Sequence, residues 1–259
     1  MSRRPQTLPR FIRWRSNLLQ LPLFCLVTCV LGSLALLVSL FEESGRMQHR
    51  IAQAWAGFCV RISGSRLIVR GAENLHKHAV AVYAANHTSY MDTPVIFAAL
   101  PFQFRILAKK ELWRMAFIGW YLNRSGQIPV DTASARGTAA SLAAGARALS
   151  AGMPLFVFPE GSRTPDGTLK DFMSGAAYLA LRAKVPVVPI ALSGVYDLLP
   201  IHTYHFFPGD LVMSVGEPID TACMTTRDTG ELTIRIRGAI EALLAQEADA
   251  EAQPQPTPA

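Results

Sequence analysis

Cysteine is scarce in this chain. Cys25, Cys29, Cys59 and Cys223 make neither a zinc-type spacing nor a disulfide framework, so a reducing compartment is expected for the folded part. Glycine-rich loops of the Walker or dinucleotide type are missing, which excludes nucleotide-driven chemistry. His202 and His205 have no accompanying ligand cluster; they read as bystander histidines, and no metal is expected. The chain has no internal repeat. Positions 1–16 hold no acidic residue, and positions 18–41 hold no charge of either sign.

What charge there is leans basic. A formal net charge of +6 and a pI near 9.4 suggest an anionic partner: membrane lipid, a phosphorylated substrate or nucleic acid. Half of the residues are hydrophobic, which favours contact with a membrane. A chain of 259 residues accommodates one large domain or two small ones.

Arg3, Arg4, Arg10, Arg13 and Arg15 precede the uncharged run, which at roughly two dozen residues is long enough to span a hydrocarbon core as a helix. Basic flanking residues keep the N-terminus cytoplasmic. With no small-residue cleavage site before Glu42-Glu43, an uncleaved anchor is expected rather than a signal peptide. Pro22 and Gly32 are candidate bends. Residues 51–60 offer a second, interfacial helix, with Arg46, Arg50 and Arg61 among anionic headgroups. Together these predict a monotopic hairpin rather than one straight span followed by a surface helix.

From about residue 64 the pattern becomes that of an α/β domain. Short apolar runs at 67–69, 79–84, 104–108, 127–131, 154–158, 185–192 and within 206–217 predict strands. Helices are expected over 93–100, 133–151 (closed by Gly152), 172–183 and 230–246. The alternation predicts a mixed sheet flanked by helices. The expected division is an anchoring segment over 1–63, the α/β domain over 64–246 and a disordered tail over 247–259, rich in Ala, Glu, Gln and Pro.

The organising stretch is Ala85-Asn86-His87-Thr88-Ser89-Tyr90-Met91-Asp92, between a predicted strand and a predicted helix. Ser89 and Asp92 have capping-box spacing, which predicts a helix start near Ser89. Two readings of the pair stand at this point. Asp92 caps a helix and His87 is a turn residue, or a carboxylate fixes the tautomer of a histidine that removes a proton from a substrate hydroxyl.

A second cluster, Phe158-Pro159-Glu160-Gly161-Ser162-Arg163, ends another strand, where ligands gather in open α/β sheets. Arg163 offers a forked donor to phosphate oxygens, and Gly161 permits close backbone approach. Glu160 either accepts from a polyol, positions Arg163, or simply pairs with it to hold a turn. Lys109 and Lys110 bind phosphate or solvate a surface; Asp131 contacts substrate or ends a strand.

Taken together these residues are recognisable. Asn86-His87-Thr88-Ser89-Tyr90-Met91-Asp92 resembles the NHxSxxD block of the glycerolipid and lysophospholipid acyltransferases. Phe158-Pro159-Glu160-Gly161-Ser162-Arg163 resembles their FPEGTR block, residues 185–190 their VPxxPV-like strand, and residues 108–112 their AKxEL segment. Order and spacing match over about residues 70–217, and a hydrophobic N-terminal segment is usual in the bacterial 1-acylglycerol-3-phosphate acyltransferases. The second block departs: Gly126 through Asp131 fits, but Thr132 stands where the family has an arginine thought to help hold the acceptor phosphate. Arg136 or Arg124 is a candidate substitute, with Lys109 and Arg163.

The resemblance implies a glycerol-3-phosphate acyltransferase-like fold at a bacterial inner membrane, its catalytic domain facing the cytoplasm. It implies transfer of an acyl group from acyl-CoA or acyl carrier protein to a lysophospholipid acceptor, with no metal, bound cofactor or nucleic acid. His87 and Asp92 are then catalytic. Lys109, Glu160, Gly161, Ser162 and Arg163 position the acceptor, with Asn86, Ser89, Asp131 and Arg136 as further binding candidates. The rivals are another acceptor on the same fold, a metal-dependent hydrolase, and a non-catalytic lipid-binding protein.

Overall fold

A computed structural model describes residues 9–78, 80–201 and 203–252. The expectations placed on Arg3, Arg4, Ala79, His202 and residues 253–259 therefore lie outside the described residues. Seven strands form one sheet in the order β1-β7-β6-β2-β5-β3-β4. They are β1 (Arg66–Arg70), β2 (Val82–Ala85), β3 (Arg105–Lys109), β4 (Ile128–Val130), β5 (Leu155–Val157), β6 (Val187–Ser193) and β7 (Asp210–Val215). Strands β2 to β6 are parallel, while β7 is antiparallel to β6 and parallel to β1, so the sheet is mixed as expected.

The pleat sends alternate residues to two layers. Tyr83, Phe156, Val188 and Ile190 face a core covered by α3 (Arg46–Ser63) and α4 (Asp92–Ala99). Val82, Ala84, Leu155, Val157 and Val187 face the other core, with Leu149 of α6 (Ala135–Ser150), Leu179 of α7 (Gly175–Ala183) and Ile236 of α9 (Thr229–Ala252). Burial on both faces explains why β2 and β6 read as continuous apolar runs.

The N-terminal run is helical from Arg10 to Val38, long and apolar enough to cross a membrane, and little buried. It comprises α1 (Arg10–Arg15), a π-turn over Ser16–Gln20 and α2 (Leu21–Val38). The wide turn falls just ahead of Pro22, whose ring and missing N–H disfavour ordinary helical bonding there. No break occurs at Gly32, contrary to expectation. A side chain there would collide with Phe117, which precedes α5 (Ile118–Arg124), so the glycine makes room for a packing contact.

The reversal comes instead between Val38 and Arg46, where Gly45 adopts φ +72. Helices α2 and α3 then run antiparallel, because Gln20 Nε2 donates to the Ile62 and Ser63 carbonyls and Trp55 Nε1 donates to Thr28 Oγ1. The expected hairpin exists, but α3 is longer than residues 51–60 and is not merely interfacial. Ala52, Ala56, Cys59 and Val60 are buried in the sheet core, while Arg46, Arg50 and Arg61 remain exposed.

Two further boundaries move. Helix α4 begins at Asp92, three residues later than the capping pattern suggested, since Ser89 is used elsewhere. The tail expected from residue 247 is helical to Ala252. Glu247 is buried, accepting from Ser214 Oγ and pairing with Arg70 at 2.9 Å, so it ties α9 to the sheet rather than starting a disordered segment.

One buried histidine makes the fold pH-sensitive. His49 lies edge-on to Phe104 at 4.9 Å, with Nε2 3.0 Å from the Phe102 carbonyl and Nδ1 unpartnered among the described residues. Burial pulls its pKa from 6.5 down to about 4. Above pH 6.5 both states are neutral. Between there and about 4 only the unfolded chain takes the proton, so stability falls with falling pH by about 3 kcal/mol in all. Thermal midpoints of the wild type should drop across this window, while His49→Gln should show a flatter profile. Equal slopes would refute the assignment.

Candidate active site

Strand β2 delivers the turn. Its neighbours β5 and β6 are both parallel to it, so the segments after β2, β3, β4, β5 and β6 emerge at one edge. The first residue after β2, Asn86, extends the pairing with its side chain. Nδ2 donates to the Leu192 carbonyl at 3.0 Å and Oδ1 accepts from Leu192 N at 2.8 Å. Asn86 is thus a buried clamp on β6.

Asp92 is fully buried, and its Oδ2 collects three donors: His87 Nδ1 at 2.7 Å, Thr88 N at 2.7 Å and Ser89 N at 2.8 Å. The two backbone bonds hold the carboxylate whatever the histidine does. With Nδ1–H given to Asp92, Nε2 carries the lone pair of a neutral imidazole. The ring is further fixed by stacking on Phe158, centroids 4.0 Å apart and planes 16° apart. Ser89 is also buried; its hydroxyl donates to the Leu199 carbonyl and accepts from Met91 N, which ties the turn to the chain after α8 (Val195–Leu198).

The loop after β5 is strapped onto this turn. Glu160 Oε1 accepts from His87 N at 2.6 Å, Thr164 N donates to the His87 carbonyl at 3.0 Å, and Arg163 Nε donates to the Ser89 carbonyl at 3.0 Å. The second oxygen of Glu160 accepts from Lys170 N at 2.9 Å. Both oxygens of this buried acid are therefore occupied by backbone, and among the described residues it makes no ion pair with Arg163. Burial raises its pKa, opposed by the two N–H donors. Glu160 braces the histidine turn, and among the described residues it is not paired with Arg163.

Gly161 takes φ +67 against Met173, whose sulfur a β-carbon would strike, so any other residue would be strained there. Arg163 lies with its guanidinium carbon 4.3 Å from the Tyr90 ring centroid, and its Nη groups have no hydrogen-bond partner among the described residues. Ser162 Oγ accepts from the Lys170 ammonium.

The structure thus brings His87, Asp92, Glu160, Gly161, Ser162 and Arg163 together. Lys109 is exposed at the end of β3, on the same edge. Asp131 does not face the dyad freely: Lys110 Nζ pairs with it at 2.8 Å and Ala133 N donates to it at 3.0 Å, which lowers its pKa. Arg136 is exposed in the first turn of α6, beyond the edge strand β4, at about 4.8 Å per strand some three strand steps from β2. Arg124 ends α5 before β4 begins, which puts it at the opposite edge of the sheet. Sequence reasoning missed Lys170, which stands in a loop without periodicity, and the bracing use of Phe158, which carried only a strand signal.

The fold is that of an α/β protein, and this edge of its sheet gathers a histidine–carboxylate pair and cationic side chains into one candidate site. A family model described as Acyltransferase matches residues 66–193. An uncharacterized acyltransferase of Schizosaccharomyces pombe is 30% identical over 231 residues, covering 87% of this chain and 82% of that protein. The human 1-acyl-sn-glycerol-3-phosphate acyltransferase beta is 28% identical, covering 81% and 77%. A chloroplastic 1-acyl-sn-glycerol-3-phosphate acyltransferase of Arabidopsis thaliana is 31% identical, and there the match spans only 49% of the relative. The crystal structure of the 1-acyl-sn-glycerophosphate acyltransferase PlsC from Thermotoga maritima shares the fold, with a TM-score of 0.77, 24% identity, and 95% of this chain and 100% of that one covered. The chain belongs to the acyltransferase family.

Proposed function

We propose that this acyltransferase moves a fatty acyl group from acyl-CoA or acyl carrier protein to the sn-2 hydroxyl of 1-acylglycerol-3-phosphate, giving phosphatidic acid. The observation that carries the reading is the 2.7 Å contact between His87 Nδ1 and a buried Asp92, which leaves Nε2 as a base. The names of the human and Arabidopsis relatives support the acceptor.

In this reading Nε2 takes the proton of the acceptor hydroxyl as its oxygen attacks the thioester carbonyl. Asp92 offsets the charge of the imidazolium so formed. When the C–S bond breaks, the proton passes from His87 to the departing thiolate, so ester and free thiol are the products. No serine or cysteine nucleophile is needed, because the substrate alcohol attacks. Arg163 and Lys109 supply positive charge to the acceptor head, which lowers the entropic cost of bringing two substrates together.

In this reading the enzyme sits on the bacterial inner membrane through the hairpin of α2 and α3, without crossing it and with the domain in the cytoplasm. Exposed Leu26, Val30, Leu37 and Phe41, and the basic Arg46, Arg50 and Arg61 of α3, support this. Thr132 favours one further reading, a different acceptor such as lyso-ornithine lipid, glycerol-3-phosphate or another lysophospholipid. Purified protein given labelled acyl thioester and a panel of these acceptors should yield labelled phosphatidic acid foremost. Labelled product from another acceptor alone would replace the proposed one, and no product from any would end the proposal.

A further inference from the structure

The loop between β5 and α7 holds two cations that proton transfer does not use. One is Arg163. The other is Lys170, part-buried, whose ammonium donates to the Ser162 hydroxyl and lies within electrostatic reach of Glu160, though among the described residues it makes no direct ion pair. The carboxylates around it take their hydrogen bonds from groups other than its ammonium. Glu160 is held by the backbone of His87 and Lys170, Asp92 by the histidine turn, and Asp166 by Thr164 and Thr168. Asp171, the next residue, is exposed. Arg163 and Lys170 feel the buried carboxylates Asp92 and Glu160, but among the described residues neither cation is in direct contact with an acid, so both keep donors for a bound anion.

Their position relative to the dyad follows from Glu160. One carboxylate touches the backbone of both His87 and Lys170, so the two residues are neighbours in space although far apart in sequence. Ser162, which holds the ammonium, directly precedes Arg163, and Arg163 is anchored to the turn that carries His87. An anion bridging Arg163 and Lys170 therefore sits beside the histidine ring, where an acceptor hydroxyl must also come.

We propose that Lys170, held by Ser162, is a specificity-determining residue that binds the anionic head group of the acceptor together with Arg163. The assignment rests on the acyl-transfer reading above for the identity of that acceptor. It explains how the site manages with Thr132: the exposed threonine lies past β4 at the sheet edge, whereas Lys170 stands in the loop after β5, the strand next to β2. The fork of Arg163 suits two oxygens of a phosphate, and the lysine serves a third as a point charge.

The test is calorimetric binding of 1-acylglycerol-3-phosphate and of uncharged monoacylglycerol with the same chain, using the full chain in micelles without acyl donor. Lys170→Gln should weaken binding of the phosphate-bearing lipid by about 10- to 100-fold and leave the uncharged lipid unaffected, with Lys170→Arg restoring most of the loss. Ser162→Ala, which keeps the charge and removes its holder, should give a smaller loss of the same kind. Undiminished phosphate-lipid binding in Lys170→Gln, or equal weakening of both lipids, would overturn the assignment. A wild type that binds as expected but transfers no acyl group would instead count against the acyl-transfer reading.

Discussion

His87→Ala should lower turnover by about a thousandfold, the usual worth of a positioned general base, with little effect on folding. The reason for separating the two lies in where the turn gets its strength. Thr88 N and Ser89 N bind Asp92, and Glu160 binds His87 through the main chain, so none of these contacts needs the imidazole. The ring itself gives up a stack on Phe158 and one bond to Asp92. Circular dichroism and thermal midpoint should stay near wild type while labelled acyl transfer disappears. Turnover at the wild-type rate would remove His87 from the chemistry.

Asp92→Asn should be nearly as damaging for the rate and more so for the fold. Three donors converge on Oδ2, and the amide offers one oxygen and no charge. Turned one way, its NH2 opposes Nδ1–H and forces the wrong tautomer; turned the other, the imidazolium loses its counter-charge. A drop of roughly 10³-fold in kcat is expected, with a stability loss on the order of 2 kcal/mol because charge-assisted bonds in a buried turn become neutral ones. Lysolipid binding should persist. A rate comparable to wild type would reduce Asp92 to a helix-end group.

How far the sequence speaks differs from residue to residue. His87 and Asp92 were legible because a five-residue spacing across a strand-to-helix turn leaves few geometries, and the main-chain donors of the turn close onto the acid. The strands of the sheet were legible because both faces are buried, so apolar runs mark them directly. The bracing bonds of Asn86, Ser89 and Glu160 are not legible in the sequence for one shared reason: each satisfies backbone from a segment distant in sequence, Leu192, Leu199 and His87. Composition cannot show such partners.

The same blindness shaped the termini of the elements. Ser89 has a capping-box partner in sequence, but its hydroxyl is drawn to the Leu199 carbonyl, so α4 starts later. Glu247 opens a polar, Ala- and Glu-rich stretch that resembles a tail, yet Ser214 and Arg70 wait for it on the sheet. In α3 the small residues Ala52 and Ala56 gave a weak hydrophobic signal. Their smallness is what lets the helix lie close to its neighbours, and they are buried in the core.

The apolar N-terminal helix is stitched into the domain along its length. Arg15 and Ser16 bond the backbone of Phe206, Gln20 takes two carbonyls of α3, and Phe24 packs on Trp55 and Phe206. Trimming the first forty residues to obtain a tractable, water-soluble variant would therefore open a seam. It would strand the carbonyls of Ile62 and Ser63 and bare two aromatic rings. The segment is a wall of the enzyme, and a shortened version would need those surfaces rebuilt.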